Sequence, residues 1–477
     1  MEKFLTKKNT IIFITLLTIC RIYINSTLQL HPDEAYYWLW SHHLQLSYFD
    51  HPPMIAYFIK LTTLFFMSEF WVRLSALMVS VLMSFIIWIL SKQFFNSEKV
   101  SSGSVLLLNV YPLTASGSII ITPDAPAFLF WSLGIFISWQ LFKTQKAYLW
   151  YVLGIILGLS LLSKYTAILL VPSIFLYMIF TDEKRWLKTV HPYVALVLSI
   201  IIFLPVIIWN IANNWVSFKF QMHHGLEGYD LLNGMLEYIG GQLMALTPFA
   251  WLMGIWASAI FMFSKRKEKL FLGVTSVPII LLFMFTSLKK AAAPNWPVLA
   301  YFTFTIALCA YFLDGKKWKE TLWALVFLFS LFFSLLAIFH ARFSVIPLEK
   351  FSKEWAQTDA TSWFYGWKDL AKEIKKYPDV KYILAPSHTL PASIDYYLHE
   401  NITISADPTI GRFSQYNLWK LQIQPNVKAL YVSLEGEALD AYKRYFSEPV
   451  TTDYITIYRK NFPIRRFRII YGNTKSY

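Results

Sequence analysis

Long apolar segments separated by short polar loops dominate the first 340 residues of the chain. A run of roughly 20 apolar residues is what a helix needs to cross about 30 Å of hydrocarbon. The pattern therefore predicts eleven membrane helices, within a range of about 11–13. They are expected at residues 11–29, 71–91, 104–121, 124–142, 148–162, 165–180, 190–211, 236–263, 270–287, 296–313 and 320–340.

The pattern changes after residue 340, because no later apolar run is long enough to span a membrane. Four short segments bounded by turn residues predict strands at residues 380–385, 401–406, 427–434 and 452–459. Two segments, GWKDLAKEIKKY and EGEALDAYKRYF, have apolar positions at helical spacing and predict amphipathic helices. The sequence thus predicts a membrane domain over residues 1–340 and a small α/β domain over residues 341–477.

Loop charges predict how the chain is oriented. Basic loops at 143–146, 182–188, 265–269 and 314–320 fall on the same side as the basic N-terminus, which makes that side cytoplasmic. The first loop, the turn at 122–126 and the α/β domain fall on the outer side. The pair Lys289 and Lys290 is basic yet outer, and either a contact with an anionic headgroup or an interfacial anchor explains it.

The composition agrees with a polytopic membrane protein. The chain is 56% hydrophobic and 15% charged, whereas soluble domains carry about 25% charged residues. Basic loops beside membrane helices account for much of the net charge of +14, so no nucleic-acid partner is expected. The first apolar run lacks a small-residue cleavage pattern and is expected to be a retained helix rather than a signal peptide. Cys20 and Cys309 lie in apolar runs and form no disulfide framework.

Acidic residues and histidines are concentrated in the first outer loop, LHPDEAYYWLWSHHLQLSYFDHPPMIAYFI. Asp33 and Glu34 follow His31 and Pro32 and open an aromatic segment suited to the membrane interface. Asp33 is a candidate catalytic residue, but a helix N-cap would also place an acidic residue there.

The same loop ends on Tyr48, Asp50 and His51, directly before two prolines. Consecutive prolines stop a helix and fix the polar residues at the entrance of the next one. Tyr48 and Asp50, together with His31, are candidate substrate-binding residues. A stiff loop between two interfacial helices is the alternative.

A second acidic site is the turn Thr122-Pro123-Asp124-Ala125-Pro126. The predicted topology puts Asp124 on the same face as Asp33, so the two carboxylates are a candidate acid–base or cation-binding pair. A turn residue that satisfies backbone amides is the alternative for Asp124. Basic residues predicted near this face are candidates for holding a phosphate: Lys60, Arg73 and Lys164.

Histidines in two outer loops leave a metal site open. His42 and His43 in the first loop, and His223 and His224 near Glu227, have the residue types that bind divalent ions. Their spacing matches no recognised metal motif. No metal ligand is therefore assigned, although a divalent cation remains an open cofactor.

The ordered set of motifs resembles the bacterial branch of the protein O-mannosyltransferase and lipid A aminoarabinose transferase superfamily. The resemblance rests on the Asp-Glu pair with its aromatic segment, YFDHPP, WVRLSAL, the Pro-Asp turn, and GWKDLAKEI, ASIDYYL and GRFSQYNLW in the tail. It implies an all-α polytopic membrane domain of the GT-C fold, followed by a periplasmic α/β domain. It also implies an inverting glycosyltransferase of the bacterial inner membrane that takes a sugar from a polyprenyl-phosphate carrier, undecaprenyl phosphate, on the periplasmic side.

The resemblance also implies roles for individual residues. Asp33 corresponds to the essential first-loop carboxylate, a general base or an acceptor-orienting group, with Glu34 as its partner. Asp124 corresponds to the second acidic position, and Arg73 and His51 match positions near the carrier phosphate. The aminoarabinose transferases have lysine at the position of His51, and imidazole is only partly charged near neutral pH. The resemblance therefore does not fix the donor and the acceptor as those of the aminoarabinose transferases.

Several acceptors and one other class of protein remain. Lipid A or another envelope glycolipid is the first expectation, and protein Ser/Thr is the second. A transporter or flippase of lipid-linked sugars is the alternative class. Such a protein would be expected to have its polar residues at the bilayer midplane and an inverted repeat in its sequence, and this sequence shows neither pattern. A purely structural receptor would not need Asp33 and Asp124.

Overall fold

The computed structural model describes residues 2–224, 231–289, 293–313, 316–400, 402–438 and 440–475. Helices make up nearly all of the chain up to residue 343. The α-helices of this part are Lys7–Thr27, Pro32–His42, Met54–Thr62, Glu69–Phe95, Glu98–Val110, Pro112–Ser116, Asp124–Thr144, Tyr148–Leu161, Leu170–Ile179, His191–Ala212, Val216–His224, Leu231–Leu246, Pro248–Met262, Lys267–Val274, Val277–Ser287, Tyr301–Leu313 and Lys317–Phe343. Short 3-10 helices lie at Tyr165–Leu169, Asp182–Lys188 and Trp296–Ala300.

Seven helical segments among the described residues are long and apolar enough to cross a membrane, which makes the chain a multi-pass membrane protein. They are Lys7–Thr27, Glu69–Phe95, Asp124–Thr144, His191–Ala212, Lys267–Ser287, Trp296–Leu313 and Lys317–Phe343. Two bent pairs raise the number to nine if each is one span: Tyr165–Ile179 with Asp182–Lys188, at 117°, and Leu232–Leu246 with Pro248–Met262, at 100°.

This number is lower than the eleven predicted spans, and prolines explain two of the differences. The predicted span 104–121 is interrupted at Pro112, which has no N–H to continue the helix. The predicted span 236–263 bends at Pro248, after Thr247 with a φ of +76°. The predicted span 148–162 is a helix of only 14 residues, Tyr148–Leu161.

The chain after residue 343 contains a five-stranded sheet in the order β2-β1-β3-β5-β4. Its strands are β1 (Tyr382–Ala385), β2 (Thr403–Ala406), β3 (Lys428–Leu434), β4 (Phe446–Arg459) and β5 (Phe462–Thr474). Strand β1 is parallel to β2 and β3, whereas β5 is antiparallel to β3 and β4. The remaining helices are Leu348–Lys350, Lys353–Thr358, Ala360–Phe364, Trp367–Ile374, Thr389–Leu398, Gln415–Trp419 and Ala441–Arg444.

The predicted strands and the helix in GWKDLAKEIKKY are confirmed, but two features of this sheet differ from the prediction. The helix expected in EGEALDAYKRYF is wrong, because residues 441–444 form a single 3-10 turn and Phe446 already belongs to β4. Phe446 pairs with Thr474 of β5, a strand that the sequence pattern did not predict. Antiparallel pairing with β5, the next strand of the chain, overrides the local helical periodicity.

Two compact units make up the chain. The first contains residues 1–23, 45–58 and 73–337, and its core includes Trp131, Phe271 and Tyr301. The second contains residues 24–44, 59–72 and 338–477, and its core includes Trp367 and Phe467.

The second unit includes the first-loop helix that carries Asp33. This helix, Pro32–His42, packs against the helix Thr389–Leu398, where the rings of Trp38 and Tyr396 meet edge to face at 4.9 Å. The Tyr36 hydroxyl accepts a hydrogen bond of 2.8 Å from the backbone N–H of Gln415. The environment of Asp33 is thus set in part by residues that come after the membrane helices in sequence.

A buried ionic network lies within the second unit. Asp359 forms an ion pair with Arg459 and accepts hydrogen bonds from Thr361 Oγ1 at 2.6 Å and from His340 Nε2 at 3.1 Å. Nε2 is the donor, because His340 Nδ1 accepts the backbone N–H of Ile346 at 3.1 Å. Burial alone would raise the pKa of Asp359, but these hydrogen bonds and the charge of Arg459 hold it well below its ordinary value.

Asp359→Asn is expected to destabilise the protein by about 3–5 kcal/mol, because it leaves the charge of Arg459 buried without its partner. The pKa of Asp359 is lower in the folded than in the unfolded state. The stabilisation is therefore present above the ordinary pKa of about 3.9 and is lost as the pH falls through the lowered value. Thermal unfolding of the purified protein at pH 7 measures the effect. Glu435→Gln, which breaks an exposed ion pair with Arg466, is the control and should cost less than about 1 kcal/mol; equal losses would contradict the prediction.

Candidate active site

Asp124 is the first residue of the membrane helix Asp124–Thr144, where the partial positive charge of the helix N-terminus favours a carboxylate. Its Oδ1 lies 2.5 Å from Lys164 Nζ, and its Oδ2 accepts a hydrogen bond of 2.6 Å from Asn295 Nδ2. The side chains of Asp124 and Lys164 are only 17% and 9% exposed. The sequence analysis did not single out Asn295, although a polar amide in the loop KKAAAPNWP, between two predicted membrane helices, was a signal for it.

A cavity of about 180 Å³ opens beside this pair within the first unit. Apolar side chains such as Met83 and Phe128 form most of its wall. Its polar lining residues are Ser80, Asn109, Thr114, Ser116, Thr122, Asp124 and Asn295. The Asp124 carboxylate therefore borders a space that a small group can enter.

Asp33 and Glu34 have different surroundings at the start of the helix Pro32–His42. His31 is the N-cap: its Nδ1 accepts the backbone N–H of Asp33 at 3.3 Å, and its own N–H donates to Glu34 Oε2 at 2.8 Å. Glu34 is fully buried and closes this capping box. The Asp33 side chain is 50% exposed and its Oδ2 lies 3.6 Å from His31 Nδ1, but no hydrogen bond to its carboxylate is found in the described ranges. The N-cap interpretation of Asp33 is therefore wrong, and its carboxylate is accessible to a substrate.

Tyr48, Asp50 and His51 lie together in a tight turn of the first unit. The backbone N–H of Tyr48 donates to the carbonyl of His51 at 3.2 Å, and the Asp50 carbonyl accepts from Gln221 Nε2 at 2.7 Å. Tyr48 is fully buried, and burial raises the pKa of its hydroxyl. Asp50 is 5% exposed and His51 is half-buried. A non-helical turn thus precedes the helix Met54–Thr62, and substrate contacts of these residues stay a prediction.

The predicted basic residues occupy different environments. Arg73 is fully buried in the helix Glu69–Phe95 of the first unit. Lys60 is half-buried in the last turn of the helix Met54–Thr62, in the second unit. Lys164 is paired with Asp124, which balances its charge. Asp33 belongs to the second unit and Asp124 to the first, so their convergence on one substrate stays a prediction.

Asp395 is a titratable residue that the sequence did not single out. It lies on the helix Thr389–Leu398, which packs against the helix of Asp33, and burial raises its pKa to about 6. Folding therefore disfavours the ionised carboxylate, so Asp395 lowers stability as the pH rises from its ordinary pKa of about 3.9 through 6.

Asp395→Asn is accordingly expected to raise the unfolding temperature at pH 8 and to change it little at pH 4, because the folded carboxyl is already neutral there. Thermal unfolding at the two pH values measures the difference. Asp379→Asn, at an exposed turn position, is the matched control and should have no effect at either pH. An equal gain at both pH values would show that packing, and not ionisation, is responsible.

The described residues contain no group of three His, Cys, Asp or Glu side chains placed to hold a metal ion. His42 Nδ1 lies 3.1 Å from the carbonyl of Trp38, and the ring of His43 lies 5.0 Å from that of Trp419. The side chains of His223 and His224, as well as Glu227 and Lys290, lie outside the described residues. The divalent cation therefore remains open.

Known proteins match both the sequence and the fold. A family model described as "Dolichyl-phosphate-mannose-protein mannosyltransferase" matches residues 50–209. "Lipid A galacturonosyltransferase RgtD" of Rhizobium johnstonii is 27% identical over 297 residues, which cover 61% of this chain and 62% of that protein. The match thus spans less than two thirds of the relative's length.

Two crystal structures of ArnT from Cupriavidus metallidurans share the fold. The apo structure gives a TM-score of 0.66 at 12% identity, and the structure bound to undecaprenyl phosphate gives 0.65 at 12% identity. Each comparison covers 96% of this chain and 97% of the other chain. The predicted fold class, a polytopic helical domain with a C-terminal α/β domain, is confirmed.

Proposed function

We propose that this chain, a member of the GT-C membrane glycosyltransferase superfamily that includes ArnT and the protein mannosyltransferases, transfers a sugar from a polyprenyl-phosphate carrier to lipid A or another envelope glycolipid. One observation carries the proposal. The buried Asp124 carboxylate, held by Lys164 and Asn295 at the start of a membrane helix, borders a cavity. A fixed carboxylate beside a poorly hydrated space is suited to orienting a reacting group.

The reaction is an inverting displacement. An acceptor oxygen attacks the anomeric carbon on the face opposite the phosphate, and the bond from that carbon to the phosphate oxygen breaks. The electron pair of this bond leaves with the carrier phosphate. A hydroxyl acceptor must also lose its proton, and the half-exposed Asp33 is the proposed general base. An acceptor that is already ionised needs no such base.

Asp124 orients the acceptor or the sugar, and Glu34 supports Asp33 by holding the start of its helix. Fixed cations are needed where the phosphate gains charge. Arg73 and His51 are the proposed residues for this task, with Lys60 and Lys164 as further candidates. The charge of Lys164 is balanced by Asp124, which weakens its attraction for a phosphate. His31, Tyr48 and Asp50 are proposed to contact the substrate.

The relatives support the choice of donor and acceptor. RgtD is a transferase that acts on lipid A by its name, and one ArnT structure contains undecaprenyl phosphate. We place the protein in the bacterial inner membrane, with Asp33, Asp124 and the α/β domain facing the periplasm, because the basic loops lie on the other side. The family model, whose description names a protein acceptor, favours Ser/Thr of a protein as the second candidate.

Mass spectrometry of lipid A and of periplasmic glycoproteins from a deletion strain tests the function. A hexose, pentose, uronic acid or amino sugar that is lost from lipid A and restored by the intact gene is the expected result. Loss from a protein instead would assign the second candidate. As a control, the deletion strain is complemented with the Asp182→Asn variant, which changes an exposed residue of the opposite loop and should restore the sugar fully. Unchanged lipid A and proteins would reject the transferase, and carrier-linked sugar that crosses the membrane without a new glycosidic bond would identify a flippase.

A further inference from the structure

A buried arginine lies in the first membrane helix, next to the cavity wall. Arg21 is the fifteenth residue of Lys7–Thr27 and is 1% exposed. Its Nη1 donates to Asn109 Oδ1 at 2.9 Å and to Ser80 Oγ at 3.3 Å, and its Nη2 donates to the Asn109 carbonyl at 2.9 Å. Within the described part of the chain, no carboxylate lies within 4 Å of the guanidinium, and its Nε has no hydrogen-bond partner.

A charge buried in a membrane segment is expensive, so it needs a reason. The bonds of Arg21 supply one, because they are made at the point where the helix Glu98–Val110 stops. Pro112 cannot continue this helix, which leaves its last carbonyls without their usual partners. Arg21 donates a hydrogen bond to the carbonyl of Asn109, while the hydroxyls of Thr114 and Ser334 donate to the carbonyls of Leu108 and Val110.

The helix break is connected to the candidate site through the next residues of the chain. The short helix Pro112–Ser116 and the turn after it lead to Asp124, and several residues of this segment line the cavity. Both side chains that Arg21 contacts, Ser80 and Asn109, belong to the same cavity wall. The guanidinium fork thus fixes two helices, Glu69–Phe95 and Glu98–Val110, at the cavity beside Asp124.

We propose that Arg21 is a positioning residue for the Asp124 site: it holds the helix break at Pro112 and the cavity wall formed by Ser80 and Asn109. The inference rests on the proposed function for its effect on turnover, but the effect on the cavity wall is independent of it. Both terminal nitrogens of the guanidinium are needed, because a single nitrogen cannot bind the side-chain oxygen and the carbonyl of Asn109 in the same geometry.

The experiment uses the full chain in nanodiscs. Cys20 and Cys309 are the only cysteines; replacing both with alanine and introducing Ser116→Cys puts one reporter thiol in the cavity wall. Arg21→Met and Arg21→Lys are compared with Ser334→Ala, which removes another carbonyl contact at the same break without touching Ser80 or Asn109. The readouts are the rate of thiol labelling by N-ethylmaleimide and the values of kcat and KM.

Arg21→Met removes all three hydrogen bonds of the guanidinium. It is expected to change the labelling rate by at least about fivefold, the factor that a loss of about 1 kcal/mol produces. It should lower kcat by about 10- to 100-fold with little change in KM, because a displacement of about 1 Å at a reacting group has effects of that size. Arg21→Lys keeps the charge but not the fork, so it should show the same changes in weaker form. Ser334→Ala should remain close to the parent in both readouts.

Parent-like labelling and kcat in both Arg21 variants would overturn the proposal, and so would equal effects of Ser334→Ala. If Arg21→Met does not insert, Arg21→Lys decides the question, because it keeps the charge. Altered labelling with unchanged kcat would also reject the positioning role, while the proposed transferase stands. A parent without transferase activity would reject the proposed function, whereas the labelling comparison would still test whether Arg21 holds the wall.

Discussion

Asp124→Asn is expected to reduce sugar transfer about 100-fold, the effect of misplacing a reacting group by about 1 Å, because Asp124 is proposed to orient the acceptor or the sugar. Both oxygens of Asp124 face donors, Lys164 Nζ at 2.5 Å and Asn295 Nδ2 at 2.6 Å. An asparagine side chain has only one oxygen, so its NH2 group would face one of these two donors. Transfer from a polyprenyl-phosphate sugar by the purified protein in nanodiscs measures the loss.

The same substitution also affects stability, and the two effects must be separated. Asp124→Asn leaves Lys164 buried without its counter-charge, which costs about 3–5 kcal/mol in buried pairs. The double variant Asp124→Asn/Lys164→Gln removes both charges and is expected to regain stability but not transfer. Asp182→Asn, whose side chain is 87% exposed, controls for the loss of an aspartate. Parent-like transfer by the double variant would show that the pair of Asp124 and Lys164 has only a structural role.

Much of this architecture could be predicted because it depends on local sequence. The length of the apolar segments indicated the helical membrane domain, and the turn-bounded segments indicated four of the five strands. Strand β5 was missed since its sequence, FPIRRFRIIYGNT, is interrupted by three arginines. In the fold, Arg465 and Arg468 are accommodated by backbone carbonyls, Arg465 with Ser362 and Tyr365 and Arg468 with Ala438, which a strand pattern alone does not show.

The candidate site was predictable only in part, because its contacts join residues that lie far apart in the sequence. The turn around Asp124 and the basic character of Lys164 could be read from the sequence, but the contact of these two residues, 40 positions apart, depends on how the segments that carry them pack. Arg21 gave no signal, because an arginine within an apolar run is typical of snorkelling as well as of a buried site. Only the carbonyls freed at Pro112 distinguish these two cases.

Asp33→Asn is expected to reduce transfer to a hydroxyl acceptor by about 10²- to 10⁴-fold, the range for loss of a general base. The free energy of unfolding should change by no more than about 0.5 kcal/mol, because the carboxylate is half-exposed and makes no hydrogen bond within the described part of the chain. Parallel measurements of kcat and of thermal unfolding, each on the purified protein, check the two parts.

The adjacent Glu34 is the matched comparison, because a substitution there is expected to affect stability more than Asp33→Asn does and the rate of transfer less. Glu34→Ala removes the acceptor for the His31 N–H from a buried capping box, so it should cost about 1 kcal/mol of stability and less of the rate than Asp33→Asn. If Asp33→Asn destabilises the protein as much as Glu34→Ala, Asp33 has a structural role. If it transfers sugar at the parent's rate, Asp33 is not the general base, which is the result expected for an acceptor that is already ionised, such as a phosphate of lipid A.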